Sequence, residues 1–237
     1  LMAFVDSDDW IAPDMYEHLY RRLAEDNSDI AACGVQMVWE DKTLSRMLTR
    51  EGNCVLNQEE AMRAIIEESW LKQPVWYKLY KTALVRDILF PKGKYHEDVF
   101  WSYQAVGRAQ KVSVSDRIGY YYLQRGDSIM GEGYSLKRLD AVEAKVQRCT
   151  YIQERFPALS PLAVKDLWFT CIYHGQLAMK ILDISAAKEI SAYLKGVLRV
   201  HSFSSETCSM KERIWLEMAK NGLATTCRIR NMLKIGL

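Results

Sequence analysis

The six cysteines, at positions 33, 54, 149, 171, 208 and 227, include no C-x-x-C pair. That excludes a zinc ribbon, a dithiol redox motif and a compact disulfide scaffold, and leaves reduced thiols of a cytosolic protein as the expectation. No apolar run approaches the ~18 to 20 residues of a membrane span, and the N-terminal residues show no basic region followed by an apolar one. The chain is therefore expected to be neither secreted nor membrane-spanning. Its formal charge is only +2, which excludes the uniform electropositive field of a general nucleic-acid binder. The four histidines, 18, 96, 174 and 201, are scattered, and no Ser-His or Cys-His arrangement suited to nucleophilic catalysis is evident. There is no internal repeat and no low-complexity segment. What is present is a chain of 237 residues with 49% hydrophobic content, enough for one large domain or a domain with an appended lobe.

The pattern divides near residues 131 to 135, where Gly131 and Gly133 interrupt it. Before that point strand and helix signals alternate, as in α/β proteins. Residues 1 to 5 form an apolar run like a buried parallel strand, and the Met15, Leu19, Leu23 spacing predicts a helix after Pro13. Residues 30 to 38 read as a strand, and 57 to 68 as a helix opened by Asn57 with Glu60 three residues on. Residues 75 to 85 read as a helix, 87 to 95 as a loop and 97 to 106 as a helix. Two short strands follow, 111 to 114 and 117 to 123. Beyond Ser135 the stretches 136 to 156, 161 to 182, 186 to 200 and 211 to 233 all have helical periodicity. The expected organisation is residues 1–132 as one domain and residues 133–237 as a helical region.

Three constellations could carry chemistry. Asp6-Ser7-Asp8-Asp9 directly follows the first apolar run, at the carboxyl end where open α/β sheets place ligands. Such carboxylates suit Mg²⁺ or Mn²⁺ completed by nucleotide phosphate oxygens, or they decorate the start of the next helix, whose dipole favours negative charge. His96-Glu97-Asp98 places an acid pair before an amphipathic helix, either as a general base or as another helix-start pair. Tyr120-Tyr121-Tyr122-Leu123-Gln124-Arg125-Gly126-Asp127-Ser128 ends a strand in a loop whose arginine could grip a phosphate or pair with Asp127.

In order and setting, Phe4-Val5-Asp6-Ser7-Asp8-Asp9-Trp10 with Pro13-Asp14, Val75-Trp76-Tyr77-Lys78-Leu79-Tyr80-Lys81, Phe90-Pro91, Glu97-Asp98 and Tyr120-Tyr122-Arg125-Ser128-Ile129 resemble family-2 glycosyltransferases of the GT-A fold. The likeness is to bacterial enzymes that build capsular, lipopolysaccharide or exopolysaccharide chains, and it covers residues 1 to 130. It implies a partial GT-A fold followed by an all-helical region, and an inverting transfer from a nucleoside-diphosphate sugar to a saccharide or lipid-linked acceptor. Asp6 and Asp8 would then form the D-x-D motif, with Asp8 holding Mn²⁺ or Mg²⁺ and Asp6 nearer the ribose or the metal's outer shell. Asp98 would be the catalytic base and Glu97 its acceptor-side neighbour. Trp10 and Trp76 would line the sugar and acceptor cleft, while Lys78, Arg125 and Ser128 would lie near the donor diphosphate or its covering loop. Two features depart from the family: the strand and helix units that hold base and ribose are not seen before Leu1, and Tyr77 stands where relatives often have Asn. The resemblance thus implies a nucleotide-binding half preceding Leu1, and an edge at Phe4 and Val5 that would self-associate or be covered.

Rival readings fit less well. Haloacid-dehalogenase-like phosphatases also carry D-x-D after a strand, but Trp10 replaces their small residue and no later Gly-Asp motif follows. An EF-hand loop fails because Trp10 and Ile11 occupy ligand and glycine positions. A non-catalytic helical interaction module would have no use for Asp6, Asp8 and Asp98. Residues 208 to 237 carry six basic against two acidic residues, so this basic helix end is expected either to rest on anionic lipid, peripheral to the inner face of a membrane, or to be a solvated face.

Overall fold

The computed structural model of the chain describes residues 1–39, 45–47, 49, 51–124 and 134–236. It forms two compact units, Leu1–Lys92 with Glu97–Glu132, and Gly93–His96 with Gly133–Leu237. No described helix is long and apolar enough to cross a membrane.

The first unit is mixed α/β. Its strands are β1 (Met2–Ala3), β2 (Trp10–Ile11), β3 (Ile30–Trp39), β4 (Ser45–Met47), β5 (Cys54–Asn57), β6 (Lys78–Tyr80) and β7 (Lys111–Gln124). The sheet order is β1-β6-β3-β7-β2, with β4 paired to β3 and β5 to β7. The helices are α1 (Met15–Glu25), α2 (Gln58–Glu67), α3 (Thr82–Val85) and α4 (Glu97–Arg108). Strand β3 runs parallel to β7 and antiparallel to β6, and its residues 30 to 35 are buried on both faces, as an interior strand requires. The β3 to β7 register shifts at Gly34, where an added Cβ would lie 2.4 Å from the Asp116 carbonyl oxygen, so only glycine allows this approach. Helix α1 buries Met15, Leu19 and Leu23, the predicted spacing, and α2 opens on an Asn57–Glu60 capping box.

Several expectations are corrected. The first apolar run is not a buried parallel strand: β1 is two residues long, antiparallel to β6, and only half-buried. Among the described residues it pairs with β6 alone, so one edge is open. That edge is partly covered, because Phe4 packs edge-on against Tyr80, Phe90 and Trp101, whereas Val5 is 45% exposed. Residues 75 to 85 are strand β6 and the single turn α3 rather than one helix. The run Val75 to Tyr80 is buried throughout, a pattern shared by interior strands and buried helices; residues 75 to 77 form a turn, and Lys78–Tyr80 is strand because it pairs with β1 on one side and β3 on the other. The two strands expected between 111 and 123 are one, β7. Strands β2, β4 and β5 were not anticipated, being too short to show a period.

The second unit is helical: α5 (Asp140–Arg155), α6 (Ser160–Ile181), α7 (Ile184–Val200) and α8 (Met210–Met232). Helix α6 supplies Leu162, Leu167, Trp168, Cys171 and Ile172 to the core. Asp183 caps α7 by accepting from the Ser185 and Ala186 N–H groups, and Ser209 with Glu212 forms a capping box on α8. Helix α8 is interrupted at Gly222, whose φ and ψ are −171° and 84°. The basic C-terminal face is smaller than the sequence implies, because Arg230 turns inward to donate to the Gln176 Oε1 at 2.9 Å and covers the Trp215 ring.

Candidate active site

The acidic loop lies between β1 and β2 and is tied down by β7. The Asp9 N–H donates to the Asp6 carbonyl at 3.2 Å, closing a turn. The Asp9 carboxylate accepts from the Tyr120 hydroxyl and from the Leu123 N–H, each at 2.8 Å. The Tyr120 hydroxyl in turn accepts from the Asp6 N–H at 3.1 Å. Asp9 and Tyr120 thus orient the loop, leaving the Asp6 and Asp8 carboxylates at its exposed surface. Partial burial, then the charges of Asp9, Asp8 and Glu97, hold the Asp6 carboxyl above the usual carboxylate range.

Glu97 and Asp98 begin α4, where the helix dipole favours negative charge. His96 immediately before them has φ of 58°, a left-handed conformation that non-glycine residues adopt at a cost of about 1 kcal/mol or more. Burial, followed by the neighbouring Glu97 charge, pushes the Asp98 carboxyl up to about 6, against the opposing pull of the Val99 N–H and of Lys78. Glu97 therefore acts on both Asp6 and Asp98, and the fold brings the two acidic segments, distant in sequence, into one electrostatic neighbourhood.

Lys78 stands elsewhere than at an exposed diphosphate subsite. Its side chain is buried, its ammonium donates to the carbonyls of Lys72, at 2.7 Å, and Pro74, and it lies 4.1 Å from the centre of the Tyr77 ring. Burial brings the Lys78 pKa down to about 7, with the Asp98 charge opposing that shift. Tyr77 is itself fully buried, its hydroxyl accepting from the Lys72 N–H at 2.7 Å, so it belongs to the core and not to an acceptor wall.

The two tryptophans are separated by the pleat of β7. Trp76, buried, stacks on Tyr120 with centroids 4.2 Å apart and leans on Tyr122. Trp10, 42% exposed, stacks on Tyr121 at 5.5 Å. Successive residues of a strand point to opposite faces, so Trp76 shares the face of Tyr120 and Tyr122, and Trp10 lies on the other. Arg125 and Ser128 lie outside the described residues. What the sequence reading missed is the role of Asp9 and Tyr120 as the support of the acidic loop. The alternation of Tyr120 and Tyr122 at a spacing of two was the available signal. Among the described residues, no group of three or more His, Cys, Asp or Glu side chains is arranged to hold a metal ion.

No family model matches the chain. Among curated proteins it is similar to the uncharacterized glycosyltransferase YibD of Escherichia coli (strain K12), 25% identical over 137 residues that make up 54% of this chain and 39% of YibD. It is also similar to the glycosyltransferase GlyA of Streptococcus pneumoniae, 27% identical over 199 residues, 79% of this chain and 28% of GlyA. The chain thus spans well under half the length of either relative. Among solved structures it shares the fold of S. aureus TarS 1-349, crystallised in complex with UDP-GlcNAc, with a TM-score of 0.67 and 19% identity over 97% of this chain and 66% of that one. The curated relatives are glycosyltransferases by name.

Proposed function

We propose that this chain is part of an inverting family-2 glycosyltransferase of the GT-A fold, moving a sugar from a nucleoside-diphosphate donor to a saccharide or lipid-linked acceptor in bacterial surface polysaccharide synthesis. The observation that carries the reading is the shared neighbourhood of the Asp6 to Asp9 loop and the Glu97-Asp98 pair, set by the packing of Phe4 on Trp101 of α4 with ring centroids 5.4 Å apart, and reflected in the charge of Glu97 acting on both acids. The UDP-GlcNAc bound to TarS supports a nucleotide sugar as the donor class.

Asp98 takes the proton of an acceptor hydroxyl as that oxygen attacks the anomeric carbon from the face opposite the diphosphate. With its pKa near 6, it is mostly ionised at neutral pH yet remains a stronger base than an ordinary aspartate. Glu97, exposed beside it, faces the acceptor and keeps the Asp98 proton affinity high. One displacement inverts the configuration and needs no protein nucleophile.

The donor set fits a divalent cation of the kind that keeps few protein ligands. Two exposed carboxylates, Asp6 and Asp8, stand in a field of accumulated negative charge, and hard cations complete such a site with phosphate oxygens. Asp8 would hold Mn²⁺ or Mg²⁺, with Asp6 beside it, and the ion would supply Lewis-acid neutralisation of the departing diphosphate. Calorimetry of UDP binding to the whole protein, with and without Mn²⁺, tests this. Asp8→Ala is expected to abolish the Mn²⁺-dependent part of the affinity. Equal Mn²⁺ dependence in the variant would leave the acids as a helix-start decoration.

A further inference from the structure

Helices α7 and α8 of the second unit enclose a groove of about 600 Å³ that no step of glycosyl transfer uses. Its floor is apolar, formed by Leu182, Ala187 and Ala224, with the exposed Met232 at the rim, and its charged lining residues are Lys188, Lys195 and Arg228, all basic. Lys188, Ser191 and Lys195 recur at spacings of three and four and so occupy one face of α7. Ser191 is buried, lines the groove, and its hydroxyl has no hydrogen-bond partner. A buried hydroxyl without a partner destabilises the fold, a cost that a ligand oxygen would offset. Around this groove Ile181, Ile184 and Met232 are more than half exposed.

We infer that the α7 to α8 groove binds a lipid phosphate, a single aliphatic chain with an anionic phosphate head. The chain covers the apolar floor, the head lies among Lys188, Lys195 and Arg228, and the Ser191 hydroxyl donates to a phosphate oxygen. Free phosphate would leave the floor wet, an uncharged lipid would give three cations no counter-charge, and a zwitterionic one would bring its own cation among them and no net charge. Pockets of this volume, largely apolar with a few convergent polar groups, are the usual form of a small-ligand site. The inference stands apart from the glycosyl-transfer reading, since it uses no residue of the acidic site.

The test is titration of the full chain with dodecyl phosphate, dodecylphosphocholine and inorganic phosphate, followed by intrinsic fluorescence. Dodecyl phosphate is expected to bind at least tenfold more tightly than either of the others. The double variant Lys188→Gln with Lys195→Gln changes only exposed side chains and is expected to weaken dodecyl phosphate tenfold or more without changing the melting temperature or the affinity for dodecylphosphocholine. Ser191→Ala is expected to weaken it severalfold, and Ala224→Trp, which fills the floor, to abolish it. Equal binding of the phosphate and phosphocholine detergents, or an unchanged affinity in the lysine double variant, would overturn the inference. So would inorganic phosphate binding as tightly as the detergent, or adsorption to phosphatidylglycerol vesicles that Ala224→Trp leaves intact, which would assign the basic charge to a bilayer surface.

Discussion

The two acidic clusters of the first unit are built in opposite ways. In the loop of residues 6 to 9 one acid, Asp9, is committed to hydrogen bonds with Tyr120 and Leu123, and through them the loop is fixed to a long strand of the sheet interior. At the start of α4 the position of Asp98 follows from the helix, and what distinguishes it is a proton affinity raised by burial and by Glu97. The first cluster is oriented and the second is tuned. Orientation serves binding, because carboxylate oxygens must meet a cation in a fixed geometry, whereas tuning serves proton transfer, where the best pKa lies near the working pH.

That contrast is broken most severely by removing the tuned acid. Asp98→Asn in the whole protein is expected to lower the transfer rate on the order of 10² to 10⁴ while leaving donor affinity unchanged. A variant with most of its activity would take Asp98 out of the role. The oriented cluster is expected to respond in affinity instead. Tyr120→Phe removes the hydroxyl that joins the Asp6 N–H to Asp9, and loss of such an orienting partner typically costs about 10- to 100-fold in metal affinity. If Tyr120→Phe changed the rate at saturating donor and left the affinity alone, the division of labour between the clusters would be wrong.

Much of this was legible in the chain. The helical second region, the Met15, Leu19, Leu23 face, the Asn57 cap and the order of the acidic motifs follow from periods and caps that act within a few residues. The burial of Lys78 was not legible. Its place near the donor diphosphate was an implication of the resemblance alone, whereas the loop before it turns two carbonyls inward to receive the ammonium, and loop geometry of that kind leaves no periodic trace. Trp10 and Trp76 could have been assigned to different faces only by knowing that β2 pairs with β7, a contact between segments far apart in the sequence. The sequence reading gave Asp9 no role of its own, and its task depends on the contact of its loop with β7.

The coupling of Lys78 to Asp98 gives the tuned cluster a pH signature. The transfer rate is expected to rise with pH up to about 6, as Asp98 ionises, and to level off above it. Lys78→Met removes a charge that favours the carboxylate and is expected to move this inflection upward. Stability gives an independent reading. The folded Lys78 pKa of about 7 lies below its unfolded value of about 10.4, so between these limits the unfolded chain binds more protons, and stability rises with pH at up to about 1.4 kcal/mol per unit. Chemical denaturation from pH 7 to 10 is expected to show this rise in the wild type and to lose it in Lys78→Met. For Asp98 the sign is reversed: its folded pKa is raised, so between about pH 4 and 6 the native state binds more protons and stability falls as pH increases.

The smallest expected effect isolates the residue that links the clusters. Glu97 is exposed, and its charge raises the proton affinity of both Asp98 and Asp6. Glu97→Gln keeps the size and shape of the side chain, exchanges one acceptor oxygen for an amide donor and removes the charge. The inflection of the pH–rate profile is expected to move below 6, because burial, the larger cause of the Asp98 shift, remains while the second cause is gone. A lower pKa also makes Asp98 a weaker base, so the plateau rate is expected to fall, by less than about tenfold, since a Brønsted dependence passes on only part of a pKa change. Raising the salt concentration is expected to narrow the difference between variant and wild type, because an exposed charge acts across solvent and is screened within about 10 Å at 0.1 M. An inflection that stays at the wild-type pH in Glu97→Gln would mean that burial alone sets Asp98 and that the two clusters are independent.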